Sequence, residues 1–230
     1  MKDSSSQATP FDSTSKDYRA LIFGASGITG WAIMNSALAC PSPNTFELIV
    51  GLTHRPLSAA DSQLPQDPRI ELYSGINLSK RDTVIEKLKQ VREIEKITHV
   101  YFAAYTSHGS NFQELKRANV KILANAVEAV EALCPKLAFF TLQTGGKVHQ
   151  TSQPPPPSTH NPKKHLTNSF QPQAYGIEFA DKIPLKVPSK ETDPSIPAPY
   201  ASNIFYYSQH DHLLAAYASN PGSSARSDPT

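Results

Sequence analysis

The sequence lacks the features that are typical of secreted, membrane-bound or nucleic-acid-binding proteins. Its 230 residues contain two cysteines, Cys40 and Cys134, which are too few for a disulfide framework. No apolar run approaches the roughly 20 residues that span a membrane, and the polar start MKDSSSQATPFDSTSKD has no secretory leader pattern. A net charge of +2 leaves no basic stripe for nucleic acid or an anionic membrane. We therefore expect a soluble, cytoplasmic protein with reduced thiols and no nucleic-acid or membrane partner.

Strand-like and helix-like segments alternate from Tyr18 onwards. Composition and turn residues predict strands at YRALIF (18–23), FELIVGLT (46–53), RIELYSGINL (69–78), KITHVYFAAYT (96–106) and KLAFFTLQTG (136–145). Helices are predicted between them at GITGWAIMNSALAC (27–40), DTVIEKLKQVREI (82–94) and NFQELKRANVKILANAVEAVEALC (111–134). This alternation predicts an α/β fold with a Rossmann-like, doubly wound parallel sheet. The domain is expected to span residues 17–219, between disordered tails at 1–16 and 220–230.

Apolar periodicity predicts which helix residues face the sheet. In the first helix, the inward set is Ile28, Ile33, Ala37 and Leu38. In the long helix, the inward set is Leu115, Val120, Leu123, Val127 and Val130.

The turn between the first strand and the first helix, GASGITG, contains three glycines spaced like a dinucleotide-binding fingerprint. Gly24 permits a tight turn, Gly27 lets the backbone approach a pyrophosphate, and Gly30 allows the helix to pack closely on the strand. The helix N-terminus then faces the anion, with Ser26 and Ile28 in the same turn. The sequence thus predicts a nucleotide cofactor, the alternative being a cap and turn that need glycine for packing alone.

The end of the second strand indicates which cofactor is preferred. An adenosine ribose with a free 2′-hydroxyl usually meets an Asp or Glu there, and GLTHRP contains neither. Arg55, with Thr53 and His54, offers a charge-assisted site for a 2′-phosphate instead. NADP(H) is therefore favoured over NAD(H), although an exposed loop arginine is often merely solvated.

Residues after the third and fourth strands complete the expected cofactor crevice. Asn77 and Leu78 are candidate adenine neighbours, and turn chemistry alone also explains Asn77. Ala103, Ala104 and Tyr105 end the fourth strand, where small residues leave room for a ligand. Ordinary strand packing is the alternative interpretation for these three.

Two further segments carry a family resemblance. The chain has no Tyr-x-x-x-Lys pair, but it contains LQTGGK after the fifth strand and NIFYYSQHDHLLAAYA farther on. Together with GASGITG, THVYFAAY and Asn119, these resemble the progesterone 5β-reductase and iridoid synthase-like family of atypical extended short-chain dehydrogenases, in a fungal-type member. The resemblance runs from about Tyr18 to Ala218. It implies NADP(H)-dependent reduction of an enone or enal, with Lys147 and Tyr206 as the catalytic pair and Thr144 beside the cofactor.

The sequence departs from the family pattern in three places. Ile204 stands between Asn203 and Phe205, and His210 replaces an acidic residue before Asp211. The third departure is the proline-rich tract Val148–Gln173, because its removal joins LQTGGK to AYGIEF and restores the family's Q-T-G-x-K-x-Y-x-G pattern. Its 26 residues are a whole number of codons, with residue types that allow splice signals, so a translated intron is our hypothesis; a surface insertion is the alternative.

The resemblance also bears on completeness and on competing functions. The family's further strands and substrate lobe are missing after the tyrosine helix, so we expect a truncated, catalytically impaired chain.

The expected partner is a small-molecule enone or enal, and the chain could also form a homodimer. A non-catalytic NADP(H)-binding sensor and a sugar-nucleotide epimerase or dehydratase are the alternatives. We expect no metal at His210–His212, since neighbouring helix positions point apart.

Overall fold

The five strands form one parallel sheet with the order β3-β2-β1-β4-β5. A computed structural model describes residues 18–108, 111–144, 179, 182–183 and 196–219. The strands are β1 (Tyr18–Phe23), β2 (Phe46–Leu52), β3 (Ile70–Tyr73), β4 (His99–Phe102) and β5 (Phe139–Leu142). In register, Phe23 of β1 lies between Leu52 of β2 and Phe102 of β4. The carboxyl ends of the three central strands therefore meet at one edge.

The helices connect the strands on both faces of the sheet. They are α1 (Ile28–Ala37), α2 (Ala59–Ser62), α3 (Arg81–Leu88), α4 (Phe112–Leu133) and α5 (Phe205–Ser219), with 3₁₀ turns at Ile94–Lys96 and Tyr200–Asn203. Alternate residues of β1 enter different cores: Ala20 and Ile22 pack with α1, whereas Leu21 and Phe23 pack with α3 and α4. The predicted doubly wound fold is confirmed. Among the described helices, none has the length and apolar character needed to cross a bilayer.

The main differences from the sequence prediction are at element ends. The third and fourth strands stop at Tyr73 and Phe102, which are paired with the last residues of their neighbouring strands, Leu52 and Phe23. The residues beyond them lie in loops at the carboxyl edge of the sheet. α2 was not predicted, and Ser58 begins it by accepting a hydrogen bond from the Asp61 amide.

The inward faces of the helices are partly as predicted. Ala37, Leu123, Val127 and Val130 are buried, whereas Ile33, Leu38, Leu115 and Val120 are half-buried. Ile28 is 91% exposed, so its predicted inward position is wrong. It is the first residue of α1, and α1 begins at the carboxyl edge, where the turn leaves the sheet. The predicted tails at 1–16 and 220–230 and the tract 148–173 lie outside the described residues.

Candidate cofactor and catalytic site

Gly24 makes the turn after β1 possible. Its backbone has φ of +85°, in the left-handed region that other residues rarely adopt. A Cβ atom there would lie 2.8 Å from the backbone of Ala103 and Ala104, closer than any normal contact. Gly24 and the end of β4 are therefore packed together, and only glycine fits between them.

The other two glycines of the turn have different surroundings. A Cβ atom at Gly30 would lie 2.2 Å from the Gly24 carbonyl oxygen, so glycine is needed for α1 to pack on the turn. A Cβ atom at Gly27 would have the same oxygen at 3.4 Å, an ordinary contact, and Gly27 has an unstrained φ of −86°. The fold therefore does not require glycine at position 27.

The N-terminus of α1 has the features of an anion site. Among the residues that the structure describes, no side chain caps it, and its first turn contains no acidic residue. Ser26, Gly27 and Ile28 are all exposed above it. Because the first amides of a helix lack intrahelical partners, this surface suits a phosphate or pyrophosphate. The open position over Gly27 fits the pyrophosphate of a dinucleotide.

The loop after β2 holds an exposed arginine that forms no ion pair within the described part of the chain. Every other arginine in the described residues pairs with a carboxylate: Arg19, Arg69, Arg81, Arg92 and Arg117. Arg55 is exposed beside His54 and makes no ion pair with the described residues. Its guanidinium therefore remains available for an anionic ligand.

Thr53 is buried and has a structural role in the same loop. It is 2% exposed, and its hydroxyl donates a 2.7 Å hydrogen bond to the Arg55 carbonyl. Its oxygen also lies 3.0 Å from the hydroxyl of Ser74. Thr53 thus shapes the backbone that presents Arg55, and Ser74 is a participant that the sequence did not reveal.

Asn77 and Leu78, after β3, are engaged within the protein. The Asn77 side-chain oxygen accepts hydrogen bonds from the Ser79 amide at 3.0 Å and the Ser79 hydroxyl at 2.7 Å. The Leu78 carbonyl accepts one from the Asn125 side chain at 2.7 Å. These contacts match the turn chemistry considered for Asn77. Both residues lie in the loop beyond the carboxyl end of β3, while Asn125 ties that loop to α4.

The loop after β4 is held by a fully buried asparagine. Asn119 is 0% exposed; its side chain accepts from the Thr106 amide at 3.0 Å and donates to the Thr106 carbonyl at 2.8 Å. The loop consequently leaves the sheet in one fixed direction past Ala103 and Ala104. Tyr105, just before Thr106, is 54% exposed.

The aromatic residues at the start of α5 meet the end of β4. The Phe205 ring lies 6.0 Å from the Tyr105 ring and 4.1 Å from the Tyr206 ring, measured between centroids. Tyr207 is used differently, since its hydroxyl accepts a 3.3 Å hydrogen bond from the Ile196 amide. A continuous set of contacts thus runs from the Gly24 turn through the end of β4 to Tyr206.

Side-chain hydrogen bonds fix α5 and its preceding turn to α4. Gln209 is 1% exposed and donates a 2.8 Å hydrogen bond to the Asn119 carbonyl. The Gln113 side chain donates to Asn203 at 3.1 Å, and Lys116 donates to the Ser202 carbonyl at 3.1 Å. These contacts set the position of Tyr206. Asn119 is among the residues that carry the family resemblance, but its structural role and that of Gln209 could not be read from the sequence.

Ile204 and His210, the two departures from the family pattern near Tyr206, are both at least half-buried in the structure. Ile204, 2% exposed, packs with Phe179 and Ile196 in a small apolar cluster before α5. His210 is half-buried, and this burial lowers the pKa of its imidazole while the nearby Asp211 carboxylate opposes the shift. Thr144 is half-buried just after β5. Lys147 lies outside the described residues.

Comparison with known proteins finds one matching family and several relatives. Residues 20–223 match the family described as "PRISE-like Rossmann-fold domain". The chain is 38% identical to the short chain dehydrogenase ausT of Aspergillus calidoustus, covering 86% of this chain and 44% of the relative. It is 37% identical to the short chain dehydrogenase sirQ of Leptosphaeria maculans, covering 84% and 44%. The chain thus spans less than half the length of these relatives.

Two more distant similarities extend this comparison. The 3-oxo-Delta(4,5)-steroid 5-beta-reductase of Arabidopsis thaliana is 27% identical over 56% of this chain and 31% of its own length. Among solved structures, a UDP-glucose 4-epimerase of Thermotoga maritima superposes with a TM-score of 0.53 over 87% of this chain and 51% of that one. Their sequence identity is 12%, so this likeness concerns the fold alone.

Proposed function

The chain belongs to the PRISE-like Rossmann-fold family, and from that premise we propose that it is the cofactor-binding part of an NADPH-dependent oxidoreductase that reduces the C=C bond of an enone or enal. The observation that carries the proposal is the contact path from the Gly24 turn through Tyr105 and Phe205 to Tyr206. A nucleotide on the α1 N-terminus and a carbonyl beside Tyr206 would then share one crevice. The name of the Arabidopsis relative describes reduction of such a 3-oxo alkene.

The preference for NADPH rests on Arg55. It is the arginine that no described carboxylate neutralises, and no Asp or Glu lies between Thr53 and Ser58 to meet a free ribose hydroxyl. A guanidinium binds a phosphate through charge-assisted hydrogen bonds. His54 and the Arg55 side chain are the groups that would contact a 2′-phosphate.

The chemistry of the reaction divides between the cofactor and the protein. When bound, the reduced nicotinamide would supply hydride to the β-carbon of the substrate. Tyr206 would donate a hydrogen bond to the substrate carbonyl oxygen, where negative charge grows in the transition state. One such donor contributes about 2.7–4 kcal/mol to transition-state stabilisation in enzymes that use it. Tyr105 and Ile28, both exposed at this edge, would cover the crevice with apolar surface.

Lys147 and Thr144 complete the proposed site. Both follow β5, whose carboxyl end lies beside that of β4 in the sheet. A positively charged Lys147 near the tyrosine would make its hydroxyl a stronger hydrogen-bond and proton donor, because the charge stabilises the phenol oxygen as its proton moves toward the substrate oxygen. Thr144 would lie along the cofactor, between Lys147 and the end of β5.

The proposal is tested by cofactor binding to the 230-residue protein. Trp31 is the single tryptophan, one turn beyond Gly27 on α1, so its fluorescence reports occupancy of the turn. We expect NADPH to quench it at lower concentration than NADH, and Arg55→Ala to abolish the difference. Calorimetry provides an independent affinity. If neither NADPH nor NADH binds, the proposal is overturned.

Turnover distinguishes the reductase from a non-catalytic sensor. NADPH oxidation is followed with 2-cyclohexen-1-one in a version of the protein that includes the downstream gene sequence. A sensor would bind NADPH without consuming it. Consumption that requires the enone and gives the saturated ketone supports the reductase.

A further inference from the structure

Two hydroxyl groups just beyond neighbouring strands hold the loop that carries Arg55. Thr53 directly follows β2 and Ser74 directly follows β3, and their oxygens are 3.0 Å apart. The Thr53 hydroxyl donates to the Arg55 carbonyl at 2.7 Å, and the Leu57 amide donates to the Ser74 oxygen at 3.1 Å. Since each hydroxyl has one proton and that of Thr53 is already donated, Ser74 must be the donor between them.

These contacts fix the backbone on both sides of Pro56. The Arg55 carbonyl before it and the Leu57 amide after it are both held by the hydroxyl pair. Pro56 itself has a restricted φ and no amide proton. The backbone from position 54 to 57 is consequently held in one conformation, while the Arg55 side chain is exposed and makes no ion pair with the described residues.

We propose that Ser74 is a specificity-determining residue that positions Arg55 for the 2′-phosphate of NADPH. This inference rests on the proposed function above. A preorganised loop lowers the entropy lost when Arg55 binds a phosphate, because only its side chain must be ordered. NADH has no 2′-phosphate and gains nothing from Arg55. Loss of the Ser74 hydroxyl should therefore weaken NADPH binding and spare NADH binding.

The chain contains a matched control for this hydroxyl pair. Ser42 and Thr45 also place their hydroxyl oxygens 3.0 Å apart, and Thr45, like Thr53, is buried. They precede β2 at the opposite, amino edge of the sheet. Ser42→Ala thus removes an equivalent serine hydroxyl away from the cofactor crevice.

The test measures dissociation constants for NADPH, NADH and adenosine 2′,5′-bisphosphate. We expect Ser74→Ala to raise the dissociation constants for NADPH and for the bisphosphate about five- to tenfold, as for one lost hydrogen bond. Its dissociation constant for NADH should stay unchanged. Ser42→Ala should leave all three dissociation constants unchanged. Thr53→Val removes the other hydroxyl of the pair and should have the same effect as Ser74→Ala. Ser74→Thr keeps a hydroxyl at position 74 and should keep the preference for NADPH over NADH. In an Arg55→Ala background, Ser74→Ala should have no further effect.

The outcomes separate this inference from the proposed function. Equal weakening of NADPH and NADH by Ser74→Ala and Thr53→Val would mean a purely structural role and would overturn the inference. A retained NADPH preference in both variants would overturn it too, leaving the proposed function intact. Failure of the unaltered protein to bind NADPH, or to prefer it, would overturn the cofactor proposal and this inference with it.

Discussion

The two adjacent tyrosines of α5 illustrate how single residues divide the tasks of the site. Tyr207 uses its hydroxyl to hold the backbone at Ile196. The Tyr206 ring lies tilted against the Phe205 ring, which also faces the ring of Tyr105 in the loop after β4. The second tyrosine therefore supports the backbone before the helix, and the first is the one to which we assign the catalytic role under the proposed function.

We predict that Tyr206→Phe lowers enone turnover about 100- to 1,000-fold, because it removes the proposed hydrogen-bond donor to the carbonyl oxygen. Tyr207→Phe is the matched control and should lower stability by about 1 kcal/mol with little effect on turnover. NADPH oxidation is measured in the version that lacks Val148–Gln173 and includes the downstream gene sequence, and stability is measured by urea unfolding. A Tyr207→Phe variant that loses turnover while Tyr206→Phe retains it would reverse the assignment.

His99 gives the protein a pH-dependent stability. It lies among the rings of Tyr18, Phe46 and Phe139, and burial lowers the pKa of its imidazole from 6.5 to about 4. The unfolded chain therefore binds more protons than the folded one between these values, and stability falls as the pH drops below 6.5. His210, with a pKa also lowered by burial, acts in the same direction.

We predict that the free energy of unfolding decreases by about 2 kcal/mol between pH 7.5 and pH 5 through His99. His99→Phe should remove most of this decrease, since phenylalanine fits the aromatic surroundings and does not titrate. Urea unfolding at both pH values measures the effect. An identical decrease in the variant would place the pH dependence elsewhere.

At the scale of elements, all five strands and the helices α1, α3 and α4 were anticipated from apolar runs and periodicity, whereas α5 was expected only from the family resemblance of the segment around Tyr206. Their ends were not, because a strand such as β3 stops where its neighbour stops, at Leu52 and Tyr73. Ile28 was placed inward because periodicity does not show where a helix extends past the sheet. Ser74 and Asn119 were unassigned because their roles depend on partners distant in sequence.

Gly30 and Gly27 differ in how closely they pack in the turn before α1, so their substitutions should have different effects. We predict that Gly30→Ala destabilises the fold, since its Cβ would lie 2.2 Å from the Gly24 oxygen. Gly27→Ala should leave the free energy of unfolding within about 1 kcal/mol of the original yet weaken NADPH binding about tenfold or more, because its methyl group would occupy the anion surface. Thermal unfolding and Trp31 quenching measure the two effects. Unchanged affinity in a folded Gly27→Ala variant would show that the pyrophosphate binds elsewhere.

At the scale of the whole molecule, the tract at 148–173 separates Lys147 from the rest of its family motif. We propose that this tract is an insertion and that the chain spans part of a longer enzyme, as its coverage of 44% of ausT suggests. Catalytic groups require a rigid support held to about 0.5 Å. On this proposal, a 26-residue proline-rich tract directly after Lys147 would interrupt that support.

We therefore predict that turnover increases across three versions of the protein: the 230-residue chain, the chain without Val148–Gln173, and that deletion extended by the downstream gene sequence. NADPH oxidation with 2-cyclohexen-1-one should be measurable in the third. Vigorous turnover by the 230-residue chain would contradict the insertion proposal. Transcripts that all carry the tract, or codons without splice signals, would contradict its origin as an intron.

The contact between Gly24 and the start of the loop after β4 has a consequence for synthesis on the ribosome. β1 pairs with β2 on one side and with β4 on the other, so residues 18–78 alone leave one edge of β1 open. The glycine turn lacks its supporting wall until Ala103 and Ala104 have been translated. Nascent chains halted before β4 should thus be unable to retain nucleotide, and this ability should arise only once β4, its following loop and α4, whose Asn119 holds that loop, have left the exit tunnel.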